Sequence, residues 1–269
     1  MRILHSVGGI SLLMLLSACA SRPYRLVNIE RSRIIVDSRY DQHPDESASA
    51  FLAPYKQVND SIMSPIVGRV ARNMHVQKPE SDLSNLLADI LVWAAKDYNE
   101  QPVLGVYNMG GIRADLTKGD VTYEHVLSVA PFENKICFVT LTGEQLLLLF
   151  EQMAARGGEG ISKGAELVIA KRDGSWKLLS ARLNGEEIDA KRTYRVTTID
   201  YLLEGNDGMP AFTLGSDKVA PKETSNNSRF IIMNYFRDKM ARGETVDAKV
   251  EGRIRVNSEQ RIANSEEYG

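Results

Sequence analysis

The chain of 269 residues is poor in the side chains that build thiol and metal chemistry. Two cysteines exclude a disulfide scaffold and a four-thiolate zinc site. The four histidines, His5, His43, His75 and His125, stand singly, none with a metal-ligating neighbour at useful spacing. Charge of neither sign is in excess: 33 Lys and Arg oppose 35 Asp and Glu, a net of −2, so the basic footprint of a nucleic-acid binder is missing. No apolar run is long enough to span a bilayer comfortably. There is no internal repeat and no low-complexity segment. What is present, 43% hydrophobic and 25% charged residues, is the composition of a folded globular chain, long enough for one large domain or two small ones.

The first residues read as a targeting segment. A short basic start, Met1-Arg2, precedes the apolar stretch from Val7 to Leu16. The stretch closes on Leu16-Ser17-Ala18-Cys19, which resembles the bacterial lipoprotein cleavage box. An ordinary secretory signal or a core helix is the plainer alternative, although Ser21, Arg22 and Pro23 supply no helix-capping logic. The resemblance implies cleavage after residue 18 and lipid on the sulfur of Cys19, so that the chain is tethered to a membrane without crossing it. Cys137 is then the one remaining thiol. It sits in the run Lys135 to Leu141, which reads as a strand, and a lone cysteine there is expected to be a buried hydrophobe.

Beyond the signal the pattern mixes two periodicities. Arg25 to Ile29 and Arg33 to Val36 are strand-like. Phe51, Leu52, Tyr55, Val58 and Ile62 have helical spacing, with Pro54 expected near the helix start. Ile66 to Val76 reads as a strand pair or one long strand, Asp82 to Lys96 as the strongest helix, and Val103 to Tyr107 as a buried strand. Thr122 is the expected N-cap of a short helix and Gln145 to Ala155 a second strong helix, broken by Gly157-Gly158-Glu159-Gly160. Strands follow at Glu166 to Ala170, Trp176 to Leu183 and Tyr194 to Thr198, then a helix at Ser228 to Ala241 and a last strand at Gly252 to Val256. The absence of a regular strand-helix-strand rhythm predicts an α+β fold with mixed sheets. The expected organisation is a signal at 1–18, an anchor and extension at 19–47, one domain at 48–256 and a polar tail at 257–269.

Three segments attract attention as chemistry. Asn108-Met109-Gly110-Gly111-Ile112-Arg113 follows a strand; its glycines let a ligand approach the main chain, and Arg113 offers a fork for phosphate or carboxylate. Taken alone it also reads as a plain turn with a surface arginine. Ala130-Pro131-Phe132-Glu133-Asn134 alone reads as a core phenylalanine ahead of a strand. Asp200 to Gly208, with Tyr201, Asn206 and Asp207, alone reads as a connection. Two aromatics and an acid on separate loops would suit a purine or pyrimidine ring.

Together these segments resemble the C-terminal domain of 5′-nucleotidases. The resemblance is carried, in order, by Glu80 to Asp89, Asn108 to Leu116, Gly119 to Glu124, Pro131 to Asn134, Leu141 to Leu146, Gly160 to Gly164, Tyr194 to Thr198 and Gly205 to Gly208. It implies a nucleotide-binding domain in which Phe132 and Tyr201 stack on the base, Asn108 and Arg113 hold the substrate with Arg113 near the phosphate, and Asp207 contacts the nucleoside; Gly110, Gly111 and Asn206 belong to the same turns. Tyr201 stands where the family usually has phenylalanine, which adds a hydroxyl. Gln77, beside Lys78, stands where the family often has an arginine that reaches the phosphate.

The family's hydrolysis belongs to a separate metallophosphatase domain with two divalent metals, and its ligand motifs are missing from this sequence. The expectation is therefore a lipid-anchored, nucleotide-recognising chain of the bacterial cell envelope, facing the periplasm and inactive alone. It carries no catalytic residue, metal or other cofactor of its own. It works with a separate metallophosphatase chain that supplies the divalent metals. The alternatives are a non-catalytic nucleoside- or nucleotide-binding lipoprotein and a structural lipoprotein whose pocket has lost its ligand.

Overall fold

In the computed structural model, residues 25–257 are described. The expected signal at 1–18, Cys19, and all but the first residue of the polar tail lie outside the described residues. The chain divides into two units, Met1–Ala53 and Pro54–Gly269.

In the first unit, the two strands expected at 25–29 and 33–36 do not form. Leu26, Val27, Ile29, Ile34, Ile35 and Val36 are exposed. The valines and isoleucines among them are β-branched and favour extended backbone, but a strand also needs a neighbouring row of partners, and among the described residues none pairs here. Helix α1, Glu46–Met63, runs across the boundary between the units and begins well before Pro54, which lies inside it. Asp45 fixes the start: its Oδ1 accepts from the N–H of Ser47 and Ala48 at 2.9 and 3.0 Å and from the Ser47 hydroxyl at 2.6 Å. A side-chain cap outweighs the preference of proline for a first turn. No residue of α1 is buried, and no described helix is long and apolar enough to cross a membrane.

The second unit is α+β with mixed sheets. Strand β1, Ile66–Val70, is shorter than the run expected to Val76. It pairs antiparallel with β3, Gly119–Thr122, and beyond Val70 the chain keeps only an isolated bridge from Met74 to Leu116. Helix α2, Asp82–Ala94, starts on a Ser81–Ser84 capping box and buries Leu83, Leu86, Leu87, Ile90, Leu91 and Ala94. Burial of each of its leucines and isoleucine is worth about 1.5–3 kcal/mol against exposure. The helix lies hard against β2, Leu104–Tyr107: a Cβ on Gly105 would stand 2.5 Å from the Ala88 carbonyl.

Strand β2 belongs to a five-stranded sheet. Its other members are β4, Ile136–Thr142, β5, Gly160–Ile161, β9, Thr193–Ile199, and β10, Ser216–Val219, in the order β10-β4-β9-β2-β5. β9 pairs antiparallel with β4 along its whole length and parallel with β2. Helix α3, Tyr123–Val129, starts on the expected Thr122 cap. Helix α4, Gly143–Ala155, starts on a Thr142–Gln145 capping box and buries Leu146, Leu149, Phe150 and Met153. Helix α5 is a single turn, Asp200–Leu203, and helix α6 is Ser228–Ala241. Cys137 in β4 is wholly buried, and burial pushes its thiol up to about 12, so it is packing and not a nucleophile.

A second, four-stranded sheet has the order β11-β6-β7-β8, with β6 at Ala165–Arg172, β7 at Ser175–Leu183, β8 at Glu186–Glu187 and β11 at Ile254–Val256. β11 lies parallel to β6. Two charged groups hold it. Glu80, buried ahead of α2, accepts from Asn85 Nδ2 at 2.7 Å and from the N–H of Glu251 and Ile254 at 2.8 and 3.2 Å. Arg253, also buried, makes a two-pronged pair with Asp89 of α2, both bonds 2.8 Å, and donates to the Ile161 carbonyl. Removing that guanidinium takes the cation from Asp89, which keeps the Lys163 N–H on its Oδ1, and takes the side-chain donor from the Ile161 carbonyl. Arg253→Ala is expected to cost about 2–3 kcal/mol, less than a fully buried pair because Asp89 is partly exposed. Thermal unfolding reads this as a fall of several degrees in Tm.

Candidate functional site

The pairing of the five-stranded sheet decides where the loops go. β2 and β9 run parallel, with Leu104 opposite Val196 and Gly105 opposite Thr197. Their C-terminal ends therefore reach one edge together. β4 runs against β9, with Ile136 opposite Ile199, so the segment that enters β4 arrives at the same edge. Three loops from distant parts of the chain meet there: 108–113 after β2, 131–134 before β4, and 200–208 after β9.

A pocket of about 220 Å³ opens between them, lined by Asn108, Gly110, Gly111, Phe132, Asn134, Tyr201 and Asp207. Six of the eight residues expected to bind substrate are thus brought to one place. The other two stand beside it. Arg113 is exposed and its guanidinium donates to the Gly110 carbonyl at 3.3 Å. Asn206 donates from Nδ2 to the Tyr201 carbonyl at 2.9 Å and braces the turn that follows α5. Asn134 was not singled out, although it lies in the same Pro-Phe-Glu-Asn segment.

The polar groups converge on Asp207, whose backbone has φ +55°. One oxygen, Oδ2, accepts from Asn108 Nδ2 at 2.7 Å; the other, Oδ1, accepts from the Tyr201 hydroxyl at 3.3 Å. The carboxylate thereby links the loop after β2 to the loop after β9, and its negative charge pushes the Tyr201 phenol above its ordinary range. Asn108 is 4% exposed and its Oδ1 is buried without a protein donor. The aromatics are the opposite: Phe132 is 47% and Tyr201 38% exposed, large apolar rings left at the mouth of a pocket.

Behind the lining, Glu159 is buried and bonded to Met109 N–H, Arg156 and Lys78. Lys78 donates to the Arg156 carbonyl at 2.5 Å, so the cation beside Gln77 is committed to the end of α4. The sequence offered only the Gly157-Gly158 helix break as a sign of this cluster. Among the described residues no group of three or more His, Cys, Asp and Glu is placed to hold a metal ion. A larger, open depression of about 700 Å³ lies by Lys163, Asn184 and Arg255, and its charged groups are largely paired with one another.

Fold and pocket define an α+β domain with a ring-sized, loop-built pocket at one sheet edge. The chain belongs to the family of the 5′-nucleotidase C-terminal domain, whose model matches residues 62–214. It is 28% identical over 235 residues to the trifunctional nucleotide phosphoesterase protein YfkN of Bacillus subtilis (strain 168), covering 80% of this chain and 16% of that protein. It is 32% identical over 123 residues to protein UshA of Escherichia coli (strain K12), covering 45% and 22%. Against the 5′-nucleotidase of Vibrio cholerae serotype O1 it is 27% identical over 197 residues, covering 70% and 34%. The chain thus spans about a sixth to a third of the length of these curated relatives. Among solved structures, the 5′-nucleotidase precursor from Thermus thermophilus shares the fold with a TM-score of 0.68 at 24% identity, over 79% of this chain and 43% of that one.

The two glycines of the turn separate by geometry. A Cβ on Gly111 would lie 2.7 Å from Asn108 Oδ1, whereas one on Gly110 would meet only Asp207 Oδ2 at 3.7 Å. Gly111→Ala is expected to push the Asn108 amide off Asp207 and cost about 1–3 kcal/mol. Gly110→Ala is expected to stay within about 0.5 kcal/mol of the parent. Chemical denaturation of the two variants checks the contrast.

Proposed function

We propose that the chain is the nucleotide-recognising half of a 5′-nucleotidase-type phosphohydrolase. It acts outside the cytoplasm, with a separate metallophosphatase chain supplying the two divalent metals and the bond cleavage. The observation that carries the reading is the convergence of Asn108, Phe132, Tyr201 and Asp207 on one pocket with two exposed rings. In this reading Phe132 and Tyr201 stack on the base, Asp207 accepts from donors of the nucleoside, and Arg113 at the rim pairs with phosphate. Gly110 and Gly111 let the ligand lie close to the main chain.

The size of the pocket supports the division of labour. At about 220 Å³ it is below the roughly 300–1,000 Å³ of sites that enclose a whole drug-sized ligand, and suits one ring system. The sugar and phosphate would project outward, towards whatever carries the metals. The names of the relatives, a nucleotide phosphoesterase and 5′-nucleotidases, supply the substrate class, and their greater length supplies room for a catalytic domain that the matched region does not include. Lipid at Cys19 as the tether is part of the same proposal.

Stacking of a base on an aromatic ring is worth on the order of 1–3 kcal/mol in single-strand binders. Phe132→Ala and Tyr201→Ala are each expected to weaken adenosine binding by roughly ten-fold or more, while Arg113→Ala weakens AMP more than adenosine. Calorimetric titration reads all three; unchanged binding in both aromatic variants would show that the rings do not stack on a ligand. A second expected outcome concerns turnover. The purified chain with Mn²⁺, Zn²⁺ or Mg²⁺ hydrolyses no AMP at a useful rate, and adding a metallophosphatase partner restores hydrolysis. Metal-dependent turnover by the chain alone, free of contaminating phosphatase, overturns the proposal; nucleotide binding that no partner converts to hydrolysis favours the plain binding protein.

A further inference from the structure

Behind Asp207 lies a buried ionic relay that the expected binding residues do not include. The side chain of Glu159 is wholly buried, and a carboxylate in that position is costly unless charges and donors surround it. Its Oε2 accepts from the N–H of Met109 at 2.7 Å, and its Oε1 from Arg156 Nε at 2.6 Å, with Lys78 Nζ at 3.4 Å. Met109 follows Asn108 directly, so the first of these bonds pins the backbone of the loop that lines the pocket. The second fixes the guanidinium of Arg156. The far end of that group, Nη2, lies 3.6 Å from Asp207 Oδ2, the oxygen that also accepts from Asn108.

Local sequence builds the relay. Arg156 is the C-cap of α4, and Gly157 and Gly158, with φ +80° and +108°, turn the chain so that Glu159 comes back beneath Arg156. A Cβ on Gly158 would stand 2.1 Å from the Pro79 carbonyl, which presses the turn against the segment that carries Lys78. A guanidinium spans two carboxylates from separate edges of one plane, which a point-charge ammonium does not.

We propose that Arg156 is a positioning residue of the pocket: anchored by Glu159, it holds Asp207 in its orientation towards Asn108 and Tyr201 and keeps the carboxylate ready to accept from the ligand. This rests on the pocket being a nucleoside site. The groups that face Asp207 are Arg156, Tyr201 and Asn108, with Glu159 and Lys78 behind Arg156.

The test uses the full chain, adenosine as probe, and the variants Arg156→Met and Arg156→Lys. Arg156→Met is expected to weaken adenosine binding by about ten-fold or more. It also moves the proton shifts of the Asn108 side-chain amide, which report whether Asp207 Oδ2 still accepts from Asn108 Nδ2. Arg156→Lys returns the amide shifts towards their parent values but only part of the affinity. A merely structural arginine would lower Tm and leave the Asn108 amide shifts in place, and that result, or unchanged affinity, overturns the proposal. Should Arg156→Met not fold, Arg156→Gln serves the same comparison. The coupling is also read without ligand, from the same Asn108 side-chain amide resonances. Equal Asn108 amide shifts in the parent and in Arg156→Met overturn the positioning role whatever the ligand result. Failure of the parent to bind adenosine or AMP, with the amide shifts different between the two proteins, overturns the nucleoside reading alone.

Discussion

The parallel pairing of β2 with β9 is the constraint on which the rest of the site depends. Parallel neighbours end at the same edge, so the residues that follow them, Asn108 and Tyr201, are brought together although 93 positions separate them. Because β4 runs against β9, the segment carrying Phe132 enters from that edge too. A sheet in which β9 paired antiparallel with β2 would send Tyr201 and Asp207 to the opposite end, and no side-chain substitution would restore the pocket. Crevices beyond the carboxyl ends of parallel strands are where open sheets commonly take ligands, and this small mixed sheet keeps one such pair at its centre.

Charge at the site closes on itself. Glu159 and Asp207 are the acids, and Arg156 and Lys78 the bases, arranged so that each carboxylate has a cation against it. The lining itself is therefore neutral in sum and polar in detail. Near the rim, Arg113 rests its guanidinium on the Gly110 carbonyl and is otherwise exposed, whereas Lys78 serves the end of α4. Selectivity in such a pocket falls on ring shape and hydrogen-bond pattern more than on net charge.

Much of this was legible from the residues, and what was not has definite causes. The α+β class, α2, α4, α6 and the strands β2, β4, β6 and β9 follow from periodicity because each buries an apolar stripe or run, and β7 because half-buried and exposed residues alternate along most of it. The pocket-lining turns were visible because glycines and aromatics break that periodicity. The strands at 25–29 and 33–36 were misread because alternation describes a side-chain pattern and says nothing of whether a partner exists. β3 and β10 went unseen because most of their residues are polar and their pairing is set from far along the chain. Pro54 misled because the cap at Asp45 is a stronger local signal than a proline. Arg156 and Glu159 carried no periodic signature, and their meaning comes only from what the Gly157-Gly158 turn places beside Asp207.

The latch on β11 sets an order of assembly. Its two halves, Glu80 with Asp89 and Arg253, are separated by more than 160 positions, so during synthesis the N-terminal half waits on the ribosome while most of the domain is translated. Until 251–254 emerges, Glu80 lacks the two backbone donors that make its burial tolerable, and the region ahead of α2 stays hydrated. The second sheet likewise lacks its edge strand beside β6. Closure of this long loop comes late, after the entropy of bringing its ends together has been met by the sheets already formed. A truncated or stalled chain therefore presents an unpaired β6 edge to its neighbours, which makes the fidelity of residues 251–256 a matter of solubility as much as of stability.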